Sequence, residues 1–227
     1  MNAPKSPLTS QDLRTVAART LEHYDERAED FWAGTRDHDV SQNIAALLRY
    51  IEGRPPFAIL DFGCGPGRDL KVFAGLGHSA IGLEGASRLA AMARTYSGCE
   101  VWQQDFLNLD LPDRRFDGVF ANAALFHVPS QELPRVLLEL HSTLKPGGVL
   151  FCSNPHGNNQ EGWNRGRYGA YHDLATWRRH MSTGGSPSSA TTTALRACRA
   201  RSNPGWRAYG ERQQPDLRRA RRRAAAS

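Results

Sequence analysis

The segment ILDFGCGPGRD, residues 59–69, decides the fold because it joins an apolar run to three glycines at alternate positions. The run at 57–62 is short and apolar, which is typical of a buried strand. Gly63, Gly65 and Gly67 follow it, and glycine lets the backbone turn tightly and lets a ligand approach without a Cβ in the way. A helix is predicted directly afterwards, and its first N–H groups suit a carboxylate or a phosphate.

Strands and helices alternate on both sides of this segment. Further strands are predicted at 80–83, 100–103, 116–121 and 149–153. Helical spacing of apolar residues follows Ser10, Ser41, Gly67, Ser87, Ser130 and Asp173. This alternation predicts an α/β fold with a Rossmann-like, doubly wound, mostly parallel sheet covered by helices on both faces. Ligands of such sheets bind outside the carboxyl ends of the strands, where the glycine segment lies.

The ends of several helices are also predicted. The first helix is expected to run without a break from a Ser10 cap to Gly34. Ser87 and Ser130 are expected to cap the helices that follow them, and LKPGG, residues 144–148, is expected to end the second of these.

Composition excludes several classes of protein. The chain has 227 residues, of which 40% are hydrophobic, enough for a core and therefore not a fully disordered protein. No apolar run approaches the roughly 18–20 residues that span a bilayer. The first twenty residues lack the apolar stretch of a secretory signal, so we expect a cytoplasmic protein. Cys64, Cys99, Cys152 and Cys198 form no CxxC pair, which favours reduced thiols over a disulfide framework or a zinc site.

Positive charge is concentrated in residues 184–227, which hold ten Arg against two acids, a net charge of +8. Residues 1–183 hold 19 basic and 21 acidic residues, a net charge of −2. We therefore divide the chain into N-terminal helices at 1–53, a core at 54–183 and a basic tail. The tail has no Val, Ile, Phe or Met, so no strand is predicted there. Its composition leaves three interpretations open: an out-of-frame C-terminus, a disordered basic arm that contacts RNA or anionic surfaces, or an inert tail.

A carboxylate follows the second predicted strand. Glu84 lies 17 residues past Gly67, and a carboxylate at that place can accept both hydroxyl protons of a ribose. The alternative is a strand-to-helix turn that binds no ligand. The glycine spacing is GxGxG rather than the GxGxxG of nicotinamide dinucleotide proteins, which argues against that cofactor.

Five segments in order resemble the class I S-adenosylmethionine-dependent methyltransferases over about residues 20–183. They are DFGCGPG (61–67), Glu84, QQDF (103–106), FDGVFANAALFHV (116–128) and LKPGG (144–148). The resemblance implies S-adenosyl-L-methionine as the cofactor and a small-molecule methyl acceptor. No NPPY-like motif follows the fourth strand, which disfavours methylation of nucleic-acid amino groups. Contact with nucleic acid is expected only through the basic tail, and the oligomeric state is left open.

The resemblance implies roles for the residues around the glycine segment. Gly63, Gly65 and Gly67 would hold the methionine end of the cofactor. Asp61 would orient the loop and the methionine ammonium, and Glu84 would hold the ribose.

The resemblance also implies roles for residues farther along the chain. Asp105 would accept a hydrogen bond from the adenine amino group, with Phe106 beside the ring; the alternative is that Asp105 caps a turn before Leu107. Asn122 would line the pocket. Tyr24 and Trp32 would close over the cofactor, or would simply pack on the domain.

His127, just after the fourth strand, is the first candidate for a catalytic base or a substrate contact. Its alternative is a histidine satisfied by the backbone at the start of a loop. His156 and His38 are weaker candidates for the acceptor side, and no metal-ligand spacing is present.

The family's sheet has seven strands, and the two closing strands are not visible in this sequence. The competing functions are therefore a cofactor-binding but catalytically impaired protein and a basic-tailed nucleic-acid-binding module. An unpaired sheet edge also predicts marginal stability.

Overall fold

A parallel sheet forms the centre of the part of the chain that the computed structural model describes, residues 6–183, with strand order β3-β2-β1-β4-β5. The strands are β1 Ala58–Phe62, β2 Ser79–Leu83, β3 Val101–Trp102, β4 Phe116–Asn122 and β5 Leu144–Ser153. The helices are α1 Ser10–Glu26, α2 Ala28–Thr35, α3 Ser41–Leu48, α4 Arg68–Gly75, α5 Ser87–Ser97, α6 Leu133–Ser142 and α7 Leu174–Thr183. The predicted Rossmann-like α/β fold is confirmed.

Each face of the sheet carries its own apolar core, because successive strand residues point to opposite faces. Leu60 and Val119 belong to the cluster that includes Leu137 of α6. Ile59 and Phe120 belong to the cluster formed with α3. The central strands are therefore apolar along nearly their whole length, as expected for a parallel sheet covered on both sides.

Strand pairing places the functional loops at one edge. β1 is central and pairs in parallel with both β2 and β4, and β2 pairs in parallel with β3. The loops that follow these four strands therefore leave from the same edge of the sheet, which is where ligands bind in open α/β sheets.

The N-terminal helix is divided rather than continuous. α1 ends at Glu26 and α2 begins at Ala28, because Arg27 has non-helical angles, φ −116° and ψ 21°. Thr9, not Ser10, is the cap. Its hydroxyl accepts from the N–H of Asp12 at 3.2 Å, and the Asp12 carboxylate accepts from the Thr9 N–H at 2.9 Å, which forms a capping box.

Two other predicted serine caps are wrong. Ser87 opens α5 without capping it, and its hydroxyl donates to Asp25. α6 begins at Leu133, whereas the Ser130 hydroxyl donates to Glu161. A serine close to a helix start can instead bond to a distant carboxylate, which local sequence does not specify.

The segment predicted to end α6 belongs to a strand. α6 ends at Ser142, and LKPGG is the first half of β5.

The start of α7 agrees with the sequence. The Asp173 carboxylate accepts from the Thr176 N–H at 2.7 Å, as a cap should. Trp177 is buried as expected, whereas Leu174 is exposed.

A hairpin that the sequence did not predict follows β5. β6 Gln160–Asn164 and β7 Arg167–Tyr171 are antiparallel and form a separate two-stranded sheet. Arg165 and Gly166 join them with φ values of +51° and +88°, and positive φ at both central residues is the requirement of a type I′ turn. The N–H of Tyr168 donates to the Thr20 hydroxyl at 3.0 Å, so the hairpin is attached to α1.

The expectations about residues 184–227, including the origin of the tail, lie outside the described residues. In the part of the chain that is described, no helix is long and apolar enough to cross a membrane.

Candidate functional site

A pocket lies where the glycine loop, the ends of β2, β3 and β4, and α1 meet. Its empty volume is about 680 Å³, including space that opens to solvent, which suits a small-molecule ligand. Seven residues predicted for the site line it: Tyr24, Gly63, Gly65, Glu84, Asp105, Phe106 and His127. The remaining lining residues are mostly apolar and include Val16, Ala17, Thr20, Leu21, Phe31, Leu89, Ala123 and Ala124.

The glycine loop presents bare backbone to the pocket. Gly63 and Gly65 have φ values of +73° and +54°, which L side chains rarely adopt. A Cβ on Gly63 would lie 2.6 Å from the Cβ of Ala124 and 3.1 Å from the ring of Phe106. No side chain fits there, so the pocket depends on glycine at this position.

Glu84 ties the glycine loop to the start of α5. Its Oε2 accepts from the Gly65 N–H and its Oε1 from the Ala86 N–H, both at 2.9 Å. Burial raises the pKa of Glu84, while these backbone N–H groups act against the rise. Each carboxylate oxygen has more than one acceptor site, so Glu84 can also accept from hydroxyl groups of a ligand.

Asp105 and Phe106 place a hydrogen-bond acceptor beside a flat apolar surface. Oδ1 of Asp105 accepts from the Leu107 N–H at 3.0 Å, so the turn-capping role considered from the sequence is present. That bond uses one of the two carboxylate oxygens. The ring of Phe106 stacks on Phe62 with centroids 4.3 Å apart, which fixes its orientation on the pocket wall.

His127 is held by two hydrogen bonds. Its Nδ1 lies 2.7 Å from the carbonyl oxygen of Tyr168, and its Nε2 lies 2.8 Å from the hydroxyl of Tyr24. A carbonyl only accepts, so Nδ1 carries the proton and Nε2 accepts from the Tyr24 O–H. Burial lowers the pKa of His127 to about 3 and raises that of Tyr24 to about 12. The imidazole is therefore neutral with both nitrogens engaged, which suits positioning of Tyr24 better than general-base catalysis.

Three predicted cofactor residues lie outside the pocket lining. Asp61 is buried near the end of β1, and its Oδ2 has no hydrogen-bond partner. Burial, and then the charge of Asp69, raise the pKa of the Asp61 carboxyl group well above the usual range. At Gly67 a Cβ would lie 2.9 Å from the Cα of Ala93, so this glycine permits close packing of α4 and α5. Asn122 is the third.

Asn122 takes part in a separate polar cluster. It donates to Asp69 at 3.1 Å and accepts from Ser153 at 2.6 Å and from Asn43 at 3.1 Å. These bonds order the ends of β4 and β5.

Three weaker candidates also lie outside the lining. Trp32 packs against Tyr96, with ring centroids 4.7 Å apart. His38 and His156 are exposed. Within residues 6–183 no group of three or more His, Cys, Asp or Glu side chains could hold a metal ion.

Sequence reasoning missed the contribution of α1 beyond Tyr24. Val16, Ala17, Thr20 and Leu21 form pocket wall as well as protein interior. Their apolar spacing was the available signal, but spacing alone does not distinguish a helix face that covers a ligand from one that packs on a core.

The titration of His127 gives a testable pH dependence. Its pKa is about 3 in the folded chain against an ordinary value of 6.5, so between these values the unfolded chain binds a proton that the folded chain does not. Stability is fully present above pH 6.5 and falls as the pH is lowered toward 3. One such group contributes a slope of up to about 1.4 kcal/mol per pH unit. The raised pKa values of Asp61 and Glu84 act in the opposite direction.

A comparison of variants isolates the contribution of His127. Urea unfolding between pH 6.5 and 5 should show a smaller loss of stability on acidification in His127→Gln than in the wild type. His156→Gln, which changes an exposed histidine, should keep the wild-type slope. Equal slopes in all three proteins would contradict a half-buried, neutral His127.

A five-stranded parallel sheet with a glycine loop after β1 and an acid after β2 defines a Rossmann-like cofactor-binding domain. Residues 59–148 match the family model described as "Methyltransferase domain". The chain is 31% identical over 122 residues to a sterol 24-C-methyltransferase of Gibberella zeae, covering 50% of this chain and 32% of that protein. It is 35% identical over 101 residues to a probable tRNA methyltransferase 9B of Bos taurus, covering 44% and 22%.

The chain thus spans about a third or less of these two curated relatives. Among solved structures, the Burkholderia thailandensis 1,6-didemethyltoxoflavin-N1-methyltransferase superposes with a TM-score of 0.62 at 20% identity, over 79% of this chain and 81% of that one. Residues 59–148 thus match a methyltransferase domain, as the resemblance implied, and the solved methyltransferase shares the fold of the described chain.

Proposed function

We propose that the pocket binds S-adenosylmethionine and that the domain transfers the methyl group to a small-molecule acceptor. One observation carries the proposal. The bare backbone of Gly63 and Gly65 and the carboxylates of Glu84 and Asp105 line the same pocket.

The residues of the pocket fit the parts of this cofactor. Gly63 leaves room that a Cβ would fill. Glu84 offers two oxygens to a ribose diol, and Asp105 lies next to Phe106 where an adenine amino group and ring would need them. Outside the lining, the Oδ2 of Asp61 is a buried acceptor without a partner, which an ammonium group could satisfy through water.

The bound cofactor would supply a methyl group already activated by its sulfonium, so positioning and exclusion of water are the main tasks of the protein. α1 contributes the apolar side chains Val16, Ala17 and Leu21 to the pocket and thereby keeps water away. The hydrogen bond from Tyr24 to His127 fixes the Tyr24 ring in the same wall. A proton acceptor is required only when the atom that receives the methyl group must lose a proton.

A small acceptor is favoured by one feature of the pocket and one of the sequence. Helix α1 lines one side of the pocket, which leaves less room for a folded nucleic acid. Residues 1–183 carry a net charge of −2, whereas nucleic-acid sites are strongly positive. Transfer RNA is the second candidate acceptor, because the Bos taurus relative is named a probable tRNA methyltransferase. A cytoplasmic location and a domain boundary near residue 183 remain predictions.

Methyl transfer from S-adenosylmethionine labelled in its methyl group tests the proposal. The full chain is incubated with a panel of metabolites and, separately, with bulk transfer RNA. We expect label in a low-molecular-weight product. Label only in transfer RNA would favour the second candidate, and cofactor binding without transfer to either class would indicate a catalytically impaired protein.

A further inference from the structure

Arg167, the first residue of β7, lies beside the pocket. Its guanidinium carbon is 5.8 Å from the centre of the Tyr24 ring. Tyr24 lines the pocket and donates to His127, which lines it as well. The hairpin that sequence reasoning missed therefore brings a cation next to two pocket side chains.

This cation has no anionic partner within residues 6–183. Arg68, Arg88 and Arg135 each form an ion pair with a carboxylate. Arg167 forms none, and its Nε is buried without a hydrogen-bond partner. A buried charged donor without a partner is unfavourable, which makes it a place where a ligand can gain binding energy.

Charges of both signs lie near Arg167, since Glu26 acts on His23 and Glu84 on Tyr24, but within residues 6–183 no carboxylate forms an ion pair with it. Burial lowers the pKa of His23, and the positive charges of Arg167 and then Arg27 lower it further, so that imidazole tends to be neutral. Burial likewise keeps His127 neutral. The contact with Tyr24 is at the outer limit of a cation–π interaction and leaves the N–H donors of the guanidinium unused.

We propose that Arg167 binds an oxyanion of the methyl acceptor, so that the acceptor is an anionic small molecule bearing a carboxylate, phosphate or phosphonate group. That the ligand is the methyl acceptor rests on the proposed function. The planar fork of a guanidinium matches two oxygens of such a group at once, which gives orientation as well as affinity. An oxyanion at Arg167 would direct the rest of the acceptor along Tyr24 toward the pocket.

The test uses the full chain with a matched pair of variants in one hairpin. Arg167→Gln removes the cation, and Arg165→Gln removes an exposed cation two residues away. Inorganic phosphate and acetate are titrated against each protein saturated with S-adenosylhomocysteine, with binding followed by ligand-observed NMR. S-adenosylhomocysteine affinity is measured by calorimetry on the same samples. Methyl transfer is then compared between carboxylate acceptors and their primary amides.

We expect the wild type and Arg165→Gln to bind phosphate or acetate. Arg167→Gln should bind these anions at least tenfold more weakly. The affinity for S-adenosylhomocysteine should agree within twofold in all three proteins. We also expect carboxylates to be preferred over their amides by at least tenfold, and Arg167→Gln to lose that preference through KM. Equal anion binding by wild type and Arg167→Gln, or wild-type anion binding too weak to detect, overturns the proposal. If the wild type did not bind S-adenosylhomocysteine, the proposed function would be overturned instead. The anion titration would then be run without S-adenosylhomocysteine, and it would still decide whether Arg167 binds anions.

Discussion

Glu84→Gln is expected to weaken S-adenosylmethionine binding about 100-fold, which corresponds to roughly 2.7 kcal/mol. In the wild type the two oxygens of Glu84 accept from two different backbone N–H groups, those of Gly65 and Ala86. A glutamine has one oxygen and one NH₂ group, so one of these N–H groups would face another donor. The ribose hydroxyls would also lose a charged acceptor, and hydrogen bonds to ionised groups are the stronger ones.

Isothermal titration calorimetry measures this effect, with Glu22→Gln as the control. Glu22 is an exposed residue of α1, so the same chemical change there should leave affinity within twofold of wild type. Thermal unfolding of Glu84→Gln establishes that the variant is folded at the titration temperature. Affinity within threefold of wild type in a folded Glu84→Gln would contradict the assigned role.

Gly63→Ala is expected to destabilise the protein by about 2–5 kcal/mol. Part of this is the positive φ of +73°, which costs a residue with a Cβ roughly 1–2 kcal/mol. The rest is overpacking against Ala124 and Phe106, since the new Cβ would lie 2.6 Å from one and 3.1 Å from the other; such crowding typically costs about 1–3 kcal/mol. Both neighbours line the pocket, so cofactor binding should fail together with stability.

Gly98→Ala separates the two contributions. Gly98 ends α5 with φ +71°, and a Cβ there meets no atom within 4 Å. Urea unfolding should show a loss of about 1–2 kcal/mol for Gly98→Ala, from backbone strain alone, and a larger loss for Gly63→Ala. Equal losses would mean that the close approach of Ala124 to the glycine loop is not real.

The central sheet could be predicted because its signals are local. Residues 57–62 and 116–121 are mostly apolar, with one aspartate each, and buried parallel strands need no alternation of polar residues. The hairpin at 160–171 could not be predicted in this way. Its strands read QEGWN and RYGAY, with glycines and polar residues in both, and its contacts with α1 supply what its own residues do not. Strand preference depends strongly on such context.

In the candidate site, too, some residues could be predicted from the sequence and others could not. Glu84 was found because an acid directly after a parallel strand lies at the ligand edge of the sheet, whereas Asp105 was found because QQDF (103–106) resembles a motif of the methyltransferases. Asn122 is the last residue of β4 at the same edge, but it bonds to Asp69 and Ser153 instead of lining the pocket. Position along a strand fixes the edge at which a side chain lies, whereas its direction depends on partners that are distant in sequence. The role of Arg167 likewise depends on residues that are distant in sequence, and it could not be predicted.

The structure of the full chain with S-adenosylhomocysteine tests the central claim most directly. We expect both ribose hydroxyls to lie about 3 Å from the Glu84 carboxylate. The adenine amino group should lie within hydrogen-bond distance of Asp105, beside Phe106. A ligand bound elsewhere, or bound with neither carboxylate in contact, would contradict the account.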